Sequence, residues 1–60
     1  MNQKEYELIA GVFYLAMVQL KTTKEADYWR DLVSAMANKL ELTYPKTFDR
    51  KKFIAKCGTN

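Results

Sequence analysis

The chain has 60 residues, ten Lys and Arg against seven Asp and Glu, a formal net charge of +3, one Cys and no His. Its size allows one domain at most. The missing His removes the usual general base and the commonest metal ligand, and a single Cys can close neither an internal disulfide nor a zinc site. A hydrophobic content of 48% with 28% charged residues excludes a chain disordered by composition, while scarce Gly and Pro favour helix.

The first predicted element is a helix over 3–21. At about 100° per residue, Tyr6, Ile9, Ala10, Phe13, Ala16, Met17 and Leu20 form one face, and Leu8, Gly11, Val12, Leu15 and Val18 form a second, roughly opposite. A helix apolar on both sides must be covered on both sides. The uninterrupted apolar run within it, Leu8 to Val18, is eleven residues, too short to span a bilayer. It has the length of a signal-peptide core, but Glu5 and Glu7 stand where that region should be basic, and no small-residue cleavage pattern follows. The reading is therefore of an unsecreted chain with no membrane partner.

A second helix is expected over 23–42. Thr22 is placed as its N-cap with Glu25 three residues on, a capping box in which each side chain serves the other residue's backbone N–H. Ala26, Trp29, Val33, Met36, Ala37 and Leu40 provide a core face able to cover one side of the first helix. Tyr28, Leu32, Ala35 and Leu42 extend that face sideways. Tyr28, Trp29 and Arg30 could instead stack on nucleic-acid bases, but Trp29 is centred on the core stripe. Asp27 and Asp31 are four apart, and Glu5 and Glu7 form another carboxylate pair; on amphipathic helices such pairs read as solvated faces rather than acid–base or cation sites. Ser34, mid-helix, has no His to activate it.

Pro45 ends the pattern and biases Tyr44 to extended geometry. A short third helix is then expected over 50–57, capped by Asp49, with Phe48 and Phe53 at hydrophobic-staple spacing and Gly58 suited to a left-handed stop. It offers only Phe53, Ile54 and Cys57 to a core, too little to cover a five-turn stripe. Cys57 reads as a small packing residue: its helix end disfavours a thiolate, although Lys52 and Lys56 pull the other way.

Charge is uneven along the chain. Residues 1–42 carry five basic and six acidic groups, and 43–60 carry five basic and one acidic. The five cations are Lys46, Arg50, Lys51, Lys52 and Lys56, and three of them fall in the first turn of the third helix, the wrong end for its dipole. Either they face an anion, such as phosphate or an acidic partner, or Asp31, Glu41 or Glu5 neutralises them. A helix–turn–helix fits poorly, because the connector is long and the third helix short, with its basic residues bunched at the start.

The stretch Phe48-Asp49-Arg50-Lys51-Lys52-Phe53-Ile54-Ala55-Lys56-Cys57-Gly58 resembles the end of many small proteins of bacteriophages and prophages: Phe-Asp, basic residues, Phe, an aliphatic, then Cys-Gly. Tyr44-Pro45 is similar to the aromatic- or Asn-Pro ahead of that tail. The likeness covers residues 44–58 and implies phage or prophage origin and a bacterial cytoplasm. It brings no active residues with it, because those proteins mostly have no assigned function.

The sequence thus points to an all-α fold, a two-helix antiparallel hairpin with a short third helix packed across it. A chain this small buries too little to be comfortable alone, and self-association is the remaining remedy. The expected interface is Leu8, Gly11, Val12, Leu15 and Val18. The function read from it is a non-enzymatic, cofactor-free accessory protein acting through protein–protein contact with itself or with a host or phage protein. The alternative is a nucleic-acid binder using Lys46, Arg50, Lys51, Lys52 and Lys56.

Overall fold

A computed structural model describes residues 1–58. It contains three helices, α1 (Gln3–Met17), α2 (Thr23–Thr43) and α3 (Arg50–Cys57), and no strand among the described residues. Each start is built by local side-chain chemistry. Asn2 caps α1, its side-chain oxygen accepting from the Glu5 N–H at 3.0 Å while Glu5 accepts from the Asn2 N–H at 3.1 Å. Thr22 and Glu25 form the same reciprocal box on α2. Asp49 accepts from the Lys52 N–H at 3.1 Å on α3. Each such bond satisfies one of the amide groups that a helix start leaves without a partner.

The first helix stops at Met17, four residues short of the expected end at 21. The reason lies in the next helix. The Lys21 N–H donates to the Glu25 carboxylate at 2.7 Å, so the cap of α2 takes the amide that would prolong α1. Between them the chain tightens, with Gln19 N–H bonded to Ala16 C=O and Leu20 N–H to Met17 C=O, both i to i−3. Leu20 still packs against the core, whereas Ala16, expected inside, is exposed.

At its other end α2 runs one residue past the expected 42. The Thr43 hydroxyl donates to Lys39 C=O at 2.7 Å, and Tyr44 leaves helical geometry at φ −130° ahead of Pro45. Gly58 closes α3 at φ 101°, where only glycine avoids the steric cost of the left-handed region.

The core consists of Tyr6, Ala10, Trp29, Val33, Ala37, Leu40, Phe53 and Cys57. The expectation is that α2 covers one side of α1 and that α3 offers too little to cover a stripe of that length; the structure orders the packing differently. The shorter α3 lies closest against α1, because the aromatic side chains of the connector and α3 are the ones long enough to fill the groove. Phe48 meets Tyr6 edge-on at 5.1 Å, Phe53 meets Phe13 at 6.4 Å, and the staple pair Phe48 and Phe53 stand 5.3 Å apart. Two polar ties reinforce this layer. Trp29 Nε1 donates to Phe13 C=O at 2.8 Å, and the Tyr6 and Thr47 hydroxyls share a 2.7 Å hydrogen bond. No buried side-chain nitrogen or oxygen among the described residues lacks a partner.

Candidate functional site

The side of α1 facing away from this core is bare. Leu8 is 72% exposed, Val12 66%, Leu15 65% and Val18 54%, and Gly11 lies between them, half-buried. Their positions follow from helix geometry: with Tyr6, Ala10 and Phe13 held inward, residues offset by roughly half a turn must point outward. Lys4, Glu7 and Tyr14 border the stripe, and together with Leu8, Gly11, Val12 and Leu15 they line a shallow open depression whose walls come from α1 alone. Tyr14 is 48% exposed and was not among the residues the pattern picked out, because its position falls at the margin between the two faces of the helix.

Size sets this surface apart from ordinary scattered exposure. The whole chain leaves 4588 Å² accessible. A compact monomer of 7.0 kDa exposes about 4,000 Å². The four large side chains of the stripe together with bordering Tyr14 account for roughly 500 Å², within the range where a monomer's largest apolar patch is commonly functional. The molecule is also elongated, with extents of 35 × 18 × 15 Å.

The second helix adds apolar exposure that the expected sideways extension of its core face does not account for. Tyr28 is 67% exposed, Leu32 44% and Leu42 82%, and Ala35 is exposed as well. None of them reaches the core, because Trp29, Val33, Ala37 and Leu40 fill the side of α2 that faces the other helices. Trp29 is thus a buried packing residue, unavailable for base stacking.

The basic segment is split between engaged and open cations. Arg50 donates to the Asn38 side-chain oxygen at 2.8 Å, and Lys56 pairs with Glu7 at 3.6 Å. The acids that answer the segment are therefore not Asp31, Glu41 or Glu5: Glu5 is committed to the α1 cap, and a neutral amide takes Arg50. Lys46, Lys51 and Lys52 are exposed and make no ion pair among the described residues.

Chemistry-bearing groups are dispersed. Asp27 pairs with Arg30 at 3.5 Å on the surface of α2. Among the described residues no three acidic, Cys or His side chains gather where a metal ion could be held. Burial pushes the Cys57 thiol up to about 11, which disfavours the thiolate at neutral pH; lysines 52 and 56 do not offset the loss of solvent. No helix among the described residues is long and apolar enough to cross a membrane.

No family model matches the chain, and neither the curated proteins nor the solved structures contain a match to it.

Proposed function

We propose that this protein is a non-enzymatic interaction module that self-associates through the outer face of α1. The carrying observation is the bare stripe of Leu8, Val12 and Leu15, continued by Val18 at the helix cap, on a helix whose opposite side places Tyr6 and Ala10 in the core. Water is a poor partner for such a surface, and a second apolar face is the physical remedy. In this reading α1 and α2 form an antiparallel hairpin. Its support is that Phe13, late in α1, meets Trp29, early in α2, while Tyr6, early in α1, meets Tyr44 at the far end of α2. An accessory role in a phage-infected bacterial cytoplasm belongs to the same reading and takes its support from the Phe48–Gly58 tail.

Sedimentation equilibrium over a wide concentration range tests it. A mass that rises with concentration to two or more chains supports self-association. A mass of 7.0 kDa that persists at the highest concentration refutes it.

The rival, a nucleic-acid binder, draws on the open cations Lys46, Lys51 and Lys52. It is weakened by the engagement of Arg50 and Lys56 within the chain. Binding of that kind weakens steeply as salt rises. A gel shift at low salt that disappears on charge reversal at Lys51 and Lys52 would favour it; no shift with single- or double-stranded DNA or RNA dismisses it.

A further inference from the structure

Building on the self-association reading, we propose that the partner seated on α1 is a second copy of this chain, antiparallel and related by a two-fold axis, with the two helices crossing at Gly11. A two-fold interface must be complementary to itself. The stripe meets that condition: Leu8, Gly11, Val12 and Leu15 have the same spacing read in either direction about a point between Gly11 and Val12. In the antiparallel pair Leu8 of one copy lies against Leu15 of the other, and Gly11 of each lies against Val12 of the other.

Gly11 supplies an independent reason. Glycine in mid-helix is less stable than alanine, so its presence calls for a cause. A Cβ built at Gly11 would meet nothing within 4 Å, so nothing in its own chain requires the missing side chain. Close approach of another backbone does, because a glycine at the contact point lets two helices come nearer than the usual 8–10 Å between axes.

Charge selects the direction. Lys4 precedes Leu8 by four residues and borders the same stripe. A parallel pair would set Lys4 beside its own copy, an unfavourable meeting of like charges. The antiparallel pair separates the two Lys4 side chains and carries each toward the far end of the partner helix, where α1 has no basic residue in its last turn. Area fits a second copy too. Roughly 500 Å² of side chain from each, with Lys4, Glu7 and Gly11 added, reaches the ~1,000 Å² at which a specific interface begins and describes a reversible dimer rather than an obligate one.

The test uses two exposed positions. Leu8→Cys and Leu15→Cys chains are oxidised mildly at high concentration, separately and mixed, with the buried Cys57 left in place. A disulfide needs Cα atoms within about 7 Å. The antiparallel register predicts that the mixture yields cross-linked dimer several-fold above either variant alone. Preferential cross-linking of Leu8→Cys by itself would overturn the antiparallel arrangement while leaving self-association standing. A wild type that stays monomeric in sedimentation would overturn both. Gly11→Ala tests the crossing point. Its melting temperature at low concentration should rise, since the free helix gains, while the dimer dissociation constant should weaken by roughly tenfold. An unchanged or tighter dimer would place the crossing elsewhere. Dimerisation of a different stretch, or a dissimilar partner on α1, would appear as wild-type dimer with no cross-link between positions 8 and 15, and overturns the proposal.

Discussion

Replacing Leu15 by Glu separates folding from association. In the single chain Leu15 keeps 65% of its surface in water, so the substitution removes little of the core and the helices should persist. The sequence pattern alone suggests that the fold would be lost with the oligomer; the exposure of Leu15 argues against that. Burying a leucine completely is worth about 1.5–3 kcal/mol, and 65% of it remains to be buried, which leaves about 1–2 kcal/mol per copy. A two-fold dimer loses it twice, so Leu15→Glu should cost at least ~2–4 kcal/mol of association, or roughly 30- to 1,000-fold in the dissociation constant. Two carboxylates drawn out of water add to that. Sedimentation equilibrium reads the loss, and far-UV circular dichroism at the same concentrations reads the helices. Leu15→Lys provides the control, because a cation near the end of α1 suits its dipole and should leave the monomer as stable as before or more so. If Leu15→Glu and Leu15→Lys both associate as the wild type does, the outer face of α1 is not the interface. If helical content collapses in both, Leu15 supports the fold in a way its exposure does not reveal, and folding and association are not separable at this position.

Four further outcomes follow from the packing. Trp29→Phe removes the 2.8 Å donor to Phe13 C=O along with part of a buried ring, and should lower unfolding stability by about 1–3 kcal/mol in urea titrations. Thr22→Ala dismantles half of the α2 capping box and should cost about 0.5–2 kcal/mol, with little effect on sedimentation. Gly58→Ala must adopt φ 101° and set a Cβ 2.8 Å from Met17 Sδ, so it should destabilise by about 1–2 kcal/mol; unchanged thermal melting would show that α3 can end another way. Cys57 should react slowly with thiol reagents near neutral pH in the folded chain and quickly in denaturant. Because burial raises its folded value to about 11 from an ordinary 9.0, the folded state holds the proton longer than the unfolded one, so this contribution to stability is complete below pH 9 and declines as pH rises toward 11. A Cys57→Ala variant showing the same alkaline loss as the wild type would assign that loss to other groups.

What could be read from the residues in order was local. The caps by Thr22 and Asp49, the break at Pro45, the Phe48–Phe53 staple and the left-handed Gly58 each depend on groups within a few positions of one another, and all are present. The α1 cap is of the same local kind, since Asn2 and Glu5 stand at the same spacing as Thr22 and Glu25, with Asn in the place of the Ser or Thr of the common signature. Helical periodicity also separated the inward face of α1 from the outward stripe, Ala16 excepted, because both are set by one angle per residue.

The remainder was decided by distant parts of the chain. The end of α1 at Met17 depends on Glu25 claiming the Lys21 amide, a competition between two helices that neither periodicity reveals. The cover of α1 by α3 depends on how far the rings of Phe48 and Phe53 reach toward Tyr6 and Phe13. Charge counting could not choose Glu7 for Lys56 or Asn38 for Arg50, since those partners lie 49 and 12 positions away in the sequence and meet only when the helices pack. Local hydrogen bonds and helical pitch are properties of neighbouring residues, so the amino-acid order determines them directly. Which helix lies against which, and which apolar face is left over, are properties of volume and shape, and those exist only once the chain has closed on itself.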